Sequence, residues 1–253
     1  MRDAGPRRFS KAFGVTLSLS TCDPKAGLPS GVEMESPELD PKLVEGLLVS
    51  LAEWSPFATV PFAHLFMEHG DEEAMRGYDE LALAHPAAQE MLKERYLSPT
   101  PDLAALKALP EGTLGRAFEA YMTDNGLDPK RLRESAFIDA HKKRGADVGY
   151  LAERGFQLHD MFHVLTGYDT TPLGEVRVVS FTVAQIPAPY PAMIVASRPL
   201  QAALYKPQLL PILMDAITEG WALGRRAQPL ISVHWEDYWE RPLAQLRDEY
   251  GLA

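Results

Sequence analysis

Asp147–Thr166 reads as one long helix, and it constrains the fold more than any other segment. Leu151, Leu158, Phe162 and Leu165 recur at helical spacing, so one stripe of this helix must be buried. Gly167 stops it, and Tyr168-Asp169-Thr170-Thr171-Pro172 is a turn-rich connection. His159 and His163 are four residues apart and project from the same side of the helix. Asp160 is turned about 100° from His159 but only about 60° from His163, given 3.6 residues per turn. Glu175 follows His163 by twelve residues (175 − 163), and a reversal at Gly167–Pro172 returns it to the pair. The spacing therefore suits a helix, a turn and the start of a second element, a reversal that could bring the carboxylate beside the two imidazoles.

The other segments repeat the helical pattern. It begins near Ser36, with Pro37 in a first-turn position and Leu43, Leu47, Leu48 and Leu51 at helical spacing. Asp71–Ala84, Pro86–Arg95 and Leu114–Asn125 follow, the last ending at Asn125-Gly126. Pro129–Ala140 restarts with Asp128 as N-cap, and Pro207–Arg226, Pro229–Trp239 and Pro242–Tyr250 complete the series. Leu173–Ile186 is two-sided. Val176, Val178, Val179, Phe181 and Val183 favour a strand by propensity, whereas Glu175, Val179, Thr182 and Gln185 share a helical face. With no partner strand evident elsewhere, helix is the expectation. Residues 1–37 are rich in Gly, Pro, Ser and Lys and lack periodicity, which predicts a poorly structured N-terminal arm ahead of a single all-α, multi-helix domain over 38–253.

Composition narrows the function. A formal net charge of -10 argues against a nucleic-acid-binding surface, because phosphate contacts need clustered Lys and Arg. Cys22, the only cysteine, can form no internal disulfide and no thiolate cluster, and it suits a reducing compartment. Arg2, Arg7, Arg8 and Lys11 ahead of Phe13–Leu19 resemble an organelle presequence only weakly, and a bacterial leader is an equal reading. No stretch reaches the roughly 18 apolar residues of a membrane span. The windows Leu43–Met67 and Ala188–Tyr205 are the most apolar, and each reads as core or as a face resting on a bilayer.

Nitrogen and oxygen donors without sulfur suit zinc, iron(II), manganese or magnesium. Asp160 stands open as a ligand or as a partner orienting an imidazole. The His-Glu-x-x-His protease pattern is not met, because Asp occupies the second position. A His-Asp phosphohydrolase would also need an upstream His and a distant Asp, and His141 could serve as the former only with special pleading.

Leu109-Pro110-Glu111-Gly112-Thr113-Leu114-Gly115-Arg116-Ala117 reads as an entry into a helix. Together with His159-Asp160-Met161-Phe162-His163, Leu173-Gly174-Glu175, Ala184-Gln185, Gly224–Ala227, Trp235-Glu236 and Arg241–Leu243, it makes Leu109–Leu252 resemble the Coq-four family of ubiquinone (coenzyme Q) biosynthesis proteins. The resemblance implies a mostly helical protein whose His159, Asp160, His163 and Glu175 bind a divalent metal, zinc first, with iron, manganese or magnesium as alternatives. It implies a polyprenylated 4-hydroxybenzoate-derived substrate that loses its C1 carboxylate, a loss linked to hydroxylation at that carbon, with Asp160 or Glu175 as general acid or base. Its expected partners are other ubiquinone-biosynthesis proteins and a membrane surface, at the cytoplasmic face of a bacterial inner membrane or the matrix side of a mitochondrial one, and a second copy in a homodimer. The rival implication is a non-catalytic prenyl-lipid-binding scaffold with a structural metal.

A membrane-resident isoprenoid tail demands an apolar groove. Pro187–Tyr205, with Tyr190, Met193, Ile194, Val195, Leu200 and Leu204, is the candidate, against ordinary core. Arg225 and Arg226 could hold a carboxylate or phosphate, or simply complement a helix C-terminus.

Overall fold

Prolines and capping side chains cut the chain into helices, and the structure, a computed structural model, describes residues 40–52, 59–130 and 136–253. Among the described residues there are twelve α-helices and no strand. In order they are α1 (Pro41–Ala52), α2 (Thr59–His69), α3 (Glu72–Ala84), α4 (Pro86–Glu94), α5 (Leu103–Lys107) and α6 (Leu114–Asp124). Then come α7 (Ala136–Lys142), α8 (Ala146–Thr166), α9 (Pro172–Gln185), α10 (Pro189–Tyr205), α11 (Leu210–Arg226) and α12 (Leu243–Glu249). The starts are chemically marked. Asp71, Thr113 and Thr171 cap α3, α6 and α9 by accepting a hydrogen bond from a first-turn N–H. Prolines open α4, α9, α10 and α11, where no amide donor is needed. All of these helices lie within one compact unit, Leu39–Ala253.

The long helix α8 is the axis of the packing and touches α3, α4, α6, α7, α9 and α12. The expected stripe is buried: Leu158, Phe162 and Leu165 are at most 1% exposed and Leu151 7%. They join Leu114, Phe118 and Met122 of α6, Val178 and Phe181 of α9, and Leu230, Ile231 and Trp235 in one core.

The two-sided segment is helical. α9 is packed by α8, α10 and α11, so its valines fill the interior without needing a strand. Its contact with α11 is backbone to backbone. A Cβ added at Gly220 would stand 2.2 Å from the Arg177 carbonyl oxygen, and one at Gly224 would stand 2.6 Å from that of Phe181. Only glycine permits this approach.

Two expectations are corrected. The helix placed over Pro129–Ala140 does not include Pro129 and Lys130, because the Asp128 carboxylate accepts from the Lys130 N–H and closes a tight turn there instead of capping a helix; 131–135 lie outside the described residues, and helix is described again from Ala136. Pro229–Trp239 forms only a 3-10 turn, Trp235–Tyr238. Its backbone is claimed from afar: Leu230 donates to Gln185 Oε1 at 2.7 Å, and the Leu230 and Val233 carbonyls accept from Trp235 and Arg154. The first helix is described from Pro41, with Asp40 accepting from the Lys42 N–H; residues 36–39, the 1–37 arm and Cys22 lie outside the described residues. The window Ala188–Tyr205 proved to be a helix, α10, despite Pro199 within it. No helix among the described residues is long and apolar enough to cross a membrane.

Candidate metal centre

The turn between α8 and α9 is built to bring Glu175 back to the histidines. Asp169 Oδ1 accepts from the Thr171 N–H at 3.1 Å, and Thr171 Oγ1 accepts from the Gly174 N–H at 3.2 Å. Thr170 donates to Asn125 Oδ1 at 2.8 Å, tying the turn to the end of α6. A Cβ at Gly174 would lie 2.0 Å from the Asp169 carbonyl oxygen, so the first turn of α9 folds this tightly only with glycine.

Glu175 then reaches both imidazoles. Its Oε2 is 3.4 Å from His159 Nε2 and its Oε1 3.4 Å from His163 Nε2. One donor atom from each of the three residues lies within 4.8 Å of the other two. Donors bonded at about 2.0–2.2 Å to a tetrahedral ion stand roughly 3.4 Å apart, so the spacing is that of a ligand set.

His163 fits best. Its Nδ1 is 3.0 Å from the Tyr168 carbonyl oxygen, which can only accept, so Nδ1 carries the proton and Nε2 keeps a lone pair. Nε2 is buried with no hydrogen-bond partner among the described residues, an arrangement that costs free energy unless something else satisfies it. Tyr121 stacks on this ring, with centroids 5.4 Å apart and planes 23° apart, while His159 meets it edge-on at 5.0 Å. The donor set of two imidazoles, a carboxylate and no sulfur, with one buried orphan nitrogen, therefore fits a divalent metal.

The electrostatics agree. Burial would raise the Glu175 carboxyl, but the charge and hydrogen bonds that the neighbouring imidazoles offer when protonated, His159 first and then His163, outweigh it and bring it down to about 2. Burial would lower the His159 imidazole, but Glu175, and then Asp160, raise it above its ordinary value. Tyr190, on α10, is pushed up to about 12 by burial and by Glu175, with Arg198 opposing.

Asp160 is not one of the three grouped residues. It lines a cleft with Phe118, Phe156, Gln157, Met161 and Trp239, although its charge still acts on His159 and Tyr121. The 100° step along the helix separates it from His159. Arg225 and Arg226 sit exposed in the last turn of α11, where Arg225 lies over Trp221. Tyr121 carried no signal in the sequence, and Tyr190 was in view only as part of the apolar candidate groove; both arrive on other helices. Tyr168 beside Gly167 was in view, but its role lies in a carbonyl and so carries no side-chain signature.

Three comparisons bear on these residues. The family model described as "Coenzyme Q (ubiquinone) biosynthesis protein Coq4" matches residues 68–253, which include the whole centre. The chain is 33% identical over 173 residues to the mitochondrial "Ubiquinone biosynthesis protein COQ4 homolog" of Rattus norvegicus, covering 66% of this chain and 62% of that one. To its Homo sapiens counterpart it is 31% identical over 172 residues, with 66% and 62% covered. Matched residues thus span about three fifths of these relatives' length. Among solved structures, a putative ubiquinone biosynthesis protein from Nostoc punctiforme superposes with a TM-score of 0.66 at 25% identity, covering 83% of this chain and 97% of that one.

Proposed function

Because the chain belongs to the Coq4 family of coenzyme Q (ubiquinone) biosynthesis proteins, we propose that it acts in ubiquinone synthesis as a metal-dependent decarboxylase. Its substrate is a polyprenylated 4-hydroxybenzoate-derived acid, and the C1 carboxylate leaves in a step linked to hydroxylation at that carbon. The observation that carries this reading is the three-residue group His159, His163 and Glu175 with its buried, unsatisfied His163 Nε2. Zinc is the first candidate, ahead of iron, manganese or magnesium.

His159, His163 and Glu175 would hold the ion. When bound, it supplies positive charge that fixes substrate oxygens and offsets developing negative charge. The Tyr168 carbonyl keeps His163 in the tautomer that presents Nε2. C1 lies para to the phenolic oxygen, so electron push from the phenol prepares that carbon to accept a proton or an oxidant, and the electrons of the departing carboxylate return to the ring. Asp160, whose charge acts on His159 without joining the group, would move that proton, with Glu175 as the second carboxylate at the site. Hydroxylation needs an external oxidant, and zinc itself has no redox chemistry.

A prenyl tail needs an apolar face. Val44, Leu48 and Val49 of α1 and Leu200, Leu204 and Tyr205 of α10 are exposed, and the two helices touch. Ile194 of α10 is core, so the candidate groove divides between packing and surface. This supports a peripheral protein at the cytoplasmic face of a bacterial inner membrane, or the matrix side of a mitochondrial one, working beside other quinone-synthesis proteins and organising them as a homodimer.

The scaffold reading needs a metal whose positions are all filled by protein. Three grouped side chains, with His159 27% and Glu175 32% exposed, favour an open position and hence catalysis. The test is expression in a strain lacking its own family member, with quinone and carboxylated precursors measured. Wild type should restore quinone, whereas His163→Ala and Glu175→Gln should accumulate the precursor; full rescue by both variants would refute a catalytic metal.

A further inference from the structure

Tyr121 belongs to none of the motifs that mark the centre, yet α6 delivers it there. Phe118 and Met122, 4% and 0% exposed, fix α6 in the core, and the ring between them in sequence lies flat against His163. Packing explains the ring but not the hydroxyl, since phenylalanine would stack equally well. Three carboxylates, those of Asp160, Glu175 and Asp169, act on that hydroxyl, and among the described residues no hydrogen-bond partner reaches it.

This setting poses a problem for an acidic substrate. A carboxylate approaching the centre meets three others of its own sign, and like charges at short range repel. A phenol ionises near 10 in water, so at neutral pH it is a neutral donor beside groups that can only accept.

We propose that Tyr121 is a substrate-binding residue of the metal centre, its hydroxyl donating a hydrogen bond to the carboxylate of the aromatic acid held beside His159, His163 and Glu175. The inference rests on the decarboxylase reading above and adds the group that recognises the acid. A donor lost from a charged acceptor weakens binding by roughly ten- to a hundredfold.

The experiment titrates the full-length, zinc-loaded protein with two probes, geranylated 4-hydroxybenzoate and the geranylphenol that lacks its carboxylate. Tyr121→Phe should bind the acid about tenfold or more weakly and the phenol as wild type does. The visible spectrum of the cobalt-substituted form should be unchanged, since the stack on His163 remains. In turnover the loss should appear in KM more than in kcat. Tyr121→Leu, which removes the stack as well, should also alter the cobalt spectrum. Equal losses for both probes, or none in Tyr121→Phe while His163→Ala loses the acid, would overturn the role of Tyr121 alone. Undiminished binding of the acid by His163→Ala would overturn the metal-centred reading and this inference with it.

Discussion

His159 and Glu175 titrate against each other in the metal-free protein, and their shifts set a pH window. Glu175 is held down at about 2, so its contribution is present above its ordinary 4.5 and is lost as pH falls towards 2. His159 is raised, so its contribution is full below its ordinary 6.5 and is lost as pH rises through the raised value. The difference in melting temperature between metal-free wild type and Glu175→Gln should be greatest between about 4.5 and 6.5 and should shrink as pH rises through the raised His159 value. A difference that grew towards pH 8 would contradict the pairing. Metal binding should run the other way and tighten with pH, because the imidazoles must be neutral to ligate. Elsewhere, Arg154 is 2% exposed and donates to both Glu236 oxygens, at 2.8 and 3.0 Å. Arg154→Met should cost about 3–5 kcal/mol in a denaturant melt by stranding Glu236, and adding Glu236→Leu should recover most of it. The histidine pair and Glu175 were legible in the sequence because helical spacing and one turn relate them. Asp160's separation from the group and Tyr121's arrival depend on how α6 packs against α8, which local spacing does not encode.

Among the elements, α9 matters most to the site, since it carries Glu175 in its first turn and rests on α11 through Gly220 and Gly224. Gly220→Val must push the Arg177 backbone away. It should destabilise by at least about 1–3 kcal/mol and also weaken metal binding, because α9 moves with its carboxylate. Unchanged metal affinity in a folded Gly220→Val protein would separate the helix contact from the site. The helices most visible in the sequence were those with local punctuation, such as Asp71 before α3, Thr113 before α6 and Gly167 after α8. α10 was read only as an apolar window because its three prolines obscured the pattern. The error at Pro229–Trp239 came from Gln185, Arg154 and Trp235, whose side chains satisfy that backbone from a distance.

For the molecule as a whole, the exposed apolar residues of α1 and α10 make surface association testable apart from the chemistry. Leu48→Glu with Leu204→Glu should abolish co-sedimentation with lipid vesicles and leave metal content and melting temperature unchanged; retained co-sedimentation would remove that face from the account. The fold carries a helical scaffold on which two neighbouring helices hold a three-residue, sulfur-free centre, and the central claim is that this centre removes a carboxylate. It is tested most directly by release of labelled carbon dioxide from a carboxyl-labelled, prenylated 4-hydroxybenzoate-derived acid, under oxygen, by the purified protein. Metal-loaded wild type should release label, metal-stripped protein should not until the ion is restored, and Glu175→Gln should stay near background. Equal release by all three forms would contradict the account.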